Sequence, residues 1–231
     1  MTHHPRPPRP PPRPYATRCR SKSVEAASHS SQSGALSSGD SPVIEFTATG
    51  VTLPTNLPSG IKLHPREDAQ ALGNAEDVPL GAMTAALAGR VGGLDTLIIE
   101  VTEPTDTPLH IVTQSDRDET NFARVSVIIR PGARLELIES HLGGAGFSSF
   151  LLEIGMQDGG HMRRTVLQRG GADEAQAITA VINLGDKSQY TQTALAFGAQ
   201  VARLENRLTH QARGAHATLN GVDLCAAEFH R

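Results

Sequence analysis

The sequence contains no Trp, and aromatic residues make up only 3% of its 231 positions. Leu, Ile, Val and Ala must therefore fill the core, and little stacking surface is left for nucleic-acid bases. The two cysteines, Cys19 and Cys225, are too few and too far apart in sequence for a disulfide framework, and no Cys-x-x-Cys pair occurs. A reducing compartment is the simpler inference.

Long apolar runs are also missing. No stretch approaches the ~20 consecutive apolar residues of a membrane-spanning helix, and the N-terminal region lacks the apolar core of a secretory signal. We therefore expect a cytoplasmic protein, or one of the plastid stroma if the N-terminal region is a transit peptide.

Acidic residues are absent from the first 22 positions, which hold six Lys or Arg. Because the whole chain has 21 Lys or Arg against 24 Asp or Glu, the remainder is clearly acidic. A net negative charge argues against a nucleic acid or an anionic membrane surface as partner and suits protein partners.

Residues 1–42 are rich in Pro, Arg and Ser, and we predict that they form a disordered leader. Such a composition buries too little apolar surface to offset the entropy of the ordered chain. A proline-rich docking segment, a transit peptide and an extension without a folded role all fit this composition, and the last is the plainest.

Residues 43–94 give mixed signals, and we predict a small mixed α/β cap. Residues 43–46 fit a short strand. Leu80, Met83 and Leu87 fall at i, i+3 and i+7, the spacing that lines one face of a helix, so we expect a helix over residues 79–88 that Gly89 can end.

From residue 95 onward, short β-rich runs are separated by Gly or Pro. Val125, Val127 and Ile129 alternate with Arg124 and Ser126, which predicts one buried face. We predict strands over residues 96–101, 109–113, 123–129, 134–139, 149–154, 162–168, 177–184, 189–197, 200–208 and 215–224.

No helical pattern separates these runs, which excludes repeated βαβ units and leaves a sandwich, a closed barrel or a solenoid. The hairpin dipeptide Asn-Gly occurs once, at Asn220-Gly221, which weakens the antiparallel alternatives. Glycines recur at intervals of 11 to 16 residues, a loose spacing typical of stacked rungs. The pattern alone favours a parallel β-helix only slightly.

Histidines are the candidate metal ligands of this region. Stacked rungs could bring two of them together, but no tight ligand spacing occurs. We interpret them as surface or interface polar groups and assign no catalytic, cofactor-binding or metal-binding residue. The histidines concerned are His110, His141, His161, His210, His216 and His230, of which His230 lies near Cys225.

The loop over residues 114–121 contains Asp116, Asp118 and Glu119. Paired carboxylates can bind calcium or act in acid–base catalysis, as in β-helical polysaccharide lyases. A solvated loop is the plainer interpretation, because neighbouring runs offer no further catalytic groups. A β-helical carbohydrate-active enzyme nevertheless stays open as the alternative function.

Residues 122–143, FARVSVIIRPGARLELIESHLG, resemble the SufB/SufD family, whose members share a strand ending in a Gly-Ala turn followed by Leu-Glu-Leu-Ile-Glu-Ser-His. Residues 97–101 and 108–112 are similar to the opening rungs of the family, and residues 205–209 and 216–221 to later ones. The resemblance covers residues 94–231 well and 43–93 weakly. The chain lacks the CxxxC-type cysteines and has a short N-terminal region, and in both respects it resembles the SufD branch.

This resemblance implies a right-handed parallel β-helix over residues 95–231 and a non-enzymatic scaffold for iron–sulfur cluster assembly. Its implied partners are SufB and the SufC ATPase. The cluster belongs to the complex, and no cofactor is expected to bind stably to this chain alone. The late-rung histidine and the C-terminal SufC-binding segment of the family have no counterpart before Arg231, so we expect a truncated core with an open last rung.

Overall fold

The computed structural model describes residues 41–66, 78–91, 96–115, 119–210 and 212–224. In this part of the chain, strands and one helix form a parallel β-solenoid of about five turns. The elements are β1 (Val43–Thr47), β2 (Gly50–Thr52), β3 (Ile61–Arg66), α1 (Pro79–Val91), β4 (Thr96–Val101), β5 (Leu109–Ser115), β6 (Thr120–Ile129), β7 (Arg134–Gly143), β8 (Ala145–Met156), β9 (His161–Gly170), β10 (Asp173–Leu184), β11 (Gln189–Gly198), β12 (Val201–His210) and β13 (His216–Leu224).

The strands form two sheets that face each other across the core. Sheet A has the order β13-β11-β9-β7-β5-β1-β2, and sheet B has the order β12-β10-β8-β6-β4-β3. All neighbours pair in parallel except β1 with β2 and β3 with β4, at the N-terminal end. The predicted parallel solenoid is confirmed, while its right-handed sense stays a prediction.

The register shows how much chain one turn takes. Arg134 pairs with His161, His161 with Gln189, and Gln189 with His216, so each turn along this line takes 27 or 28 residues. Each run predicted from residue 95 onward overlaps one of the strands β4 to β13, most of which are longer than predicted. Asn220-Gly221 lies inside β13 and makes no hairpin.

The core lies between the sheets, and alternation along each strand decides which side chains enter it. In β6, Val125 and Val127 point inward and are fully buried. Arg124 and Ser126 point to the outer face, yet they are buried as well, because α1 packs against β6, β8 and β10. The outer face of sheet B is therefore partly a second packing surface.

Helix α1 confirms the helix expected over residues 79–88 and starts with Pro79, a residue favoured in the first helical turn, but Gly89 does not end it, because the helix continues to Val91. The side chains that it buries are small: Thr84 and Ala88 are fully buried. The Oγ1 of Thr84 lies 2.6 Å from the Oγ of Ser149 on β8. Small residues on this face let the helix approach the sheet closely, whereas the predicted stripe of Leu80, Met83 and Leu87 is only half-buried.

At one edge of the solenoid, the turns that join the sheets stack on each other through backbone hydrogen bonds of 2.7–3.0 Å. One residue of each turn has a left-handed backbone, with φ between 56° and 70°. These residues are Gly132, Gly159, Lys187 and Gly214. Three of the four residues are glycines, which lack a Cβ and therefore adopt a left-handed backbone without steric cost.

The segment before α1 contributes to both sheets: β1 pairs with β5, and β3 pairs with β4. Its treatment as a separate cap over residues 43–94 stays a prediction, as does the leader over residues 1–42, nearly all of which lies outside the described residues. Helix α1, the helix in the described part of the chain, is not long and apolar enough to span a membrane.

Candidate functional site: the polar interior and the terminal rung

Inward positions on β5 and β7 of sheet A change from apolar to polar along the strand. In β7 the inward residues run Leu135, Leu137, Glu139 and His141, and all four are buried. In β9, the inward residues Arg164 and Gln168 are buried as well, but the apolar Val166 lies between them. Polar groups are costly in a core unless they are bonded to each other, so their partners determine what this interior can do.

Glu139 and Arg164 form a fully buried, two-pronged ion pair. The guanidinium donates from Nε to Oε1 of Glu139 at 2.6 Å and from Nη2 to Oε2 at 2.7 Å. Burial alone would raise the pKa of Glu139, but the charge and hydrogen bonds of Arg164, with a contribution from His141, outweigh it and lower the pKa to about 2. The carboxylate therefore stays ionised near neutral pH.

The same pair fixes the charge on the guanidinium. Burial would lower the pKa of Arg164, but the facing carboxylate of Glu139 outweighs this effect and raises it. Neither group can give or take a proton near neutral pH. The pair is consequently suited to holding the two strands together and unsuited to acid–base catalysis.

His141 extends the network toward β5. Its Nε2 lies 3.2 Å from Oε2 of Glu139, and its Nδ1 lies 2.9 Å from the Oγ1 of Thr113. Because an ionised carboxylate can only accept, Nε2 must donate; in the neutral ring, Nδ1 then accepts from the hydroxyl of Thr113. The imidazole ring also packs against Phe150, with a centroid separation of 4.9 Å.

Arg164 extends the network in the other direction, toward the end of the solenoid. Its Nη1 donates to Oε1 of Gln192 on β11 at 2.8 Å and to Oδ1 of Asn206 on β12 at 3.3 Å. The hydroxyl of Tyr190 donates to the same oxygen of Gln192 at 2.8 Å. The network thus runs through β5, β7, β9 and β11 and crosses to sheet B at β12.

A second buried carboxylate, Glu174, lies where β9 turns into β10. It accepts from the hydroxyls of Ser115 at 2.9 Å and Ser148 at 3.2 Å, and from the N–H of Gly171 at 3.3 Å. An added Cβ at Gly143 would overlap this carboxylate. The glycine at the end of β7 therefore provides the space that Glu174 occupies.

An open groove of about 340 Å³ crosses the outer face of sheet A beside the 102–108 loop. Its floor includes Arg134, Glu136, His161 and Arg163. Arg163 and Glu136 face each other at 3.8 Å; the side chain of Arg163 is 70% exposed and that of Glu136 is 38% exposed, so water screens their charges.

The structure corrects the interpretation of two histidines as surface groups. His110 and His141 are buried, and the Nε2 of His110 lies 3.0 Å from the Oγ of Ser140. Burial lowers the pKa of His110. His210 lies 2.7 Å from the carbonyl of Ala215, and His216 is exposed on β13.

Several residues singled out by the sequence lie outside the described residues, namely Cys19, Asp116, Asp118, Cys225 and His230. Glu119 is described and lies just before β6. Within the described ranges, no three His, Cys, Asp or Glu residues are close enough together to hold a metal ion. Sequence reasoning missed the pair of Glu139 and Arg164, although each charge falls at an inward position next to an inward apolar residue of its own strand.

The last described rung is the most exposed part of the solenoid. Every residue of β13 is exposed, and β13 and β12 are the edge strands of sheets A and B. Apolar side chains are among the exposed ones: Leu219 is 49% and Val222 is 50% exposed. An edge strand with exposed apolar side chains is a ready template for pairing with another strand.

These features define a parallel β-solenoid in which most buried polar groups are hydrogen-bonded and the last described rung is exposed. Residues 110–231 match the family described as SUF system FeS cluster assembly, SufBD core domain. This match covers more than half of the chain, so the chain belongs to the SufBD family and to the SUF system of iron–sulfur cluster assembly. A search of curated proteins found no match. The family match supports the scaffold hypothesis. It gives no support to the alternative of a carbohydrate-active enzyme.

Proposed function

We propose that the chain is a non-enzymatic scaffold subunit of the SUF iron–sulfur cluster assembly complex, of the SufD branch, that pairs with SufB and docks the SufC ATPase. The observation that carries this proposal is the match of residues 110–231 to the SufBD core domain. The absence of any CxxxC-type cysteine pair from the sequence supports the SufD branch.

A scaffold role agrees with the chemistry of the interior. Two of its charged groups, Glu139 and Arg164, are bonded to each other and fully buried. A substrate would have to displace a desolvated ion pair to reach them, which costs several kcal/mol. The cluster is better described as cargo of the complex, and no cofactor is proposed to bind stably to this chain alone.

The terminal rung is the surface that we assign to SufB. Its edge strands β12 and β13 offer backbone hydrogen-bonding groups to a further strand, and Leu219 and Val222 offer exposed apolar area. Cytoplasm is the proposed compartment, or the plastid stroma if residues 1–42 act as a transit peptide.

The test is co-expression of the affinity-tagged chain with SufB and SufC, followed by size-exclusion chromatography with light scattering. We expect both proteins to be retained at a defined stoichiometry. A chain that is folded by circular dichroism and retains neither SufB nor SufC would refute the proposal.

A matched pair of substitutions locates the surface. Leu219→Lys places a charge on β13, and Val43→Lys places the same charge on β1, a strand of the same sheet near the opposite end of the solenoid, where Val43 is 38% exposed. We expect Leu219→Lys to lower SufB retention at least tenfold and Val43→Lys to leave it unchanged. Equal retention by the two variants would show that SufB binds elsewhere.

A further inference from the structure

A small cavity of about 10 Å³ lies between the two sheets, at the edge where the inward residues are polar. Its polar wall consists of Thr113, Asn121, His141, Ser148 and Gln176, and its apolar wall includes Phe150 and Ile178. The volume is that of a single water-sized probe, which sets the size of any occupant.

The register explains why this space exists. Asn121 on β6 pairs with Ser148 on β8, and Ser148 pairs with Gln176 on β10, so the three side chains form one inward column. Strands are about 4.8 Å apart, so the two amides lie on strands about 9.6 Å apart with the small serine between them. The short side chain of Ser148 leaves a gap that the flanking amides do not fill.

Two residues that line this cavity each have a buried oxygen without a hydrogen-bond donor in the described part of the chain: Oδ1 of Asn121 and Oε1 of Gln176. Neither amide can be turned around without loss. The Nδ2 of Asn121 already donates to the carbonyls of Phe46 and Gln114, each at 3.2 Å. The Nε2 of Gln176 donates to the carbonyl of His141 at 3.3 Å.

We propose that this cavity is a binding site for one ordered water molecule, which donates its two hydrogens to Oδ1 of Asn121 and Oε1 of Gln176. One water supplies the two missing donors in a space of the required size. A buried water normally makes two to four such bonds, and buried amide oxygens are seldom left without a donor.

A neutral occupant fits this wall better than a cation. Part of the wall is apolar, at Phe150 and Ile178, and an ion there would lose hydration without gaining ligands. The nearby carboxylate of Glu174 already accepts from Ser115, Ser148 and the N–H of Gly171. The water would connect β6 to β10 across β8 and thereby brace three successive turns of sheet B.

The test is a crystal structure of the chain at about 1.5 Å resolution. We expect a fully occupied peak about 2.5–3.0 Å from both amide oxygens, the usual O–H···O range. In solution, the same water should give cross-relaxation peaks to nearby amide protons that persist for longer than those of surface water. An empty cavity with both amides oriented as described here would overturn the proposal.

Two substitutions of the same kind separate the site from general effects on packing. Gln176→Met removes one of the two acceptors, and we expect the water peak to disappear. Gln168→Met is the control, because Gln168 is a buried inward glutamine that does not line the cavity; we expect the peak to persist. If the water peak persists in Gln176→Met, the two amides do not hold the water. An anomalous peak in the cavity after wild-type crystals are soaked in rubidium chloride would show that the occupant is a cation, which would also contradict the proposal.

Discussion

Glu139 and Arg164 lie on adjacent strands but do not occupy the same position of the ladder. Arg164 pairs with Leu137, and Glu139 pairs with Val166, so the guanidinium reaches diagonally across two residues to bind the carboxylate at both oxygens. A short basic side chain could not span this offset. The diagonal contact therefore depends on the register of β7 and β9, and it favours that register over its neighbours.

Glu139→Gln should be strongly destabilising. The substitution keeps the shape of the side chain but leaves the charge of Arg164 buried without a counter-ion, which typically costs 3–5 kcal/mol. We expect the free energy of unfolding, measured by urea denaturation, to fall by about 3 kcal/mol or more.

Glu136→Gln is the matched control for this substitution. Glu136 is on the same strand and faces Arg163 at 3.8 Å, but this pair is open to water: the side chain of Arg163 is 70% exposed and that of Glu136 is 38% exposed. Exposed pairs contribute about 0–1 kcal/mol, so we expect a loss within that range. Equal losses from Glu136→Gln and Glu139→Gln would refute a special role for the buried pair.

The stability gained from Glu139 should depend on pH in the acidic range. Its folded pKa of about 2 is below its ordinary value of 4.5, so the unfolded state takes up a proton first as the pH falls. The contribution, about 3 kcal/mol from this shift at 1.36 kcal/mol per unit, is fully present above pH 4.5 and is lost as the pH falls toward 2.

Urea denaturation at several pH values, for the wild type and Glu139→Gln, tests this dependence. The gap in unfolding free energy between the two proteins should narrow as the pH falls from 5 toward 2, because a protonated glutamate resembles glutamine. A gap of constant size over this range would show that Glu139 is not the titrating group.

Most strand positions could be predicted from the sequence, but several strand starts were placed too late. The runs expected from Ala123, Ser149 and Ala177 begin at Thr120, Ala145 and Asp173. The inward residues of these early positions are polar: Asn121 donates to backbone carbonyls, and Ser148 donates to Glu174 inside the solenoid. Alternation of apolar with polar residues cannot reveal a strand whose inward side is itself polar.

The repeat length was present in the sequence as well. Gly132 and Gly159 are 27 residues apart, which equals the offset between Arg134 and His161 in the ladder. Each turn contains two strands that are unequally spaced along the chain, so the intervals between successive glycines are irregular even though the turn length is nearly constant. The burial of Arg124, in contrast, depends on where α1 packs, and no local pattern encodes a contact between such distant segments.

Lys187→Gly should stabilise the protein. Lys187 has a φ of 56° at the position that Gly132, Gly159 and Gly214 occupy in the other stacked turns. A left-handed backbone costs a residue with a Cβ about 1–2 kcal/mol, and the added freedom of glycine in the unfolded chain takes back part of the gain. We expect a net increase of about 0.5–1 kcal/mol in unfolding free energy.

Lys187→Ala serves as the control for the removal of the charged side chain. It keeps the Cβ and therefore the backbone strain, so we expect a change within about ±0.5 kcal/mol. Thermal and urea denaturation of both variants would compare their unfolding free energies with that of the wild type. If alanine stabilises as much as glycine, the gain comes from the lost side chain and not from the backbone.

Gly143→Ala should destabilise the protein through one steric conflict. The new Cβ would overlap the carboxylate of Glu174, which the hydroxyls of Ser115 and Ser148 hold in place. Overpacking of this kind costs about 1–3 kcal/mol. Gly144→Ala is the adjacent control, because an added Cβ there meets nothing within 4 Å, and we expect it to be neutral within about 0.5 kcal/mol.

A double-mutant cycle can assign the cost of Gly143→Ala to Glu174. Glu174→Ser removes the carboxylate that the new methyl group would meet, so Gly143→Ala should cost much less in that background than in the wild type. The expected coupling is about 1–2 kcal/mol, well beyond the 0.3–0.5 kcal/mol scatter of independent sites. Additive losses within that scatter would mean that the glycine is required for its backbone and that the space for the carboxylate is incidental.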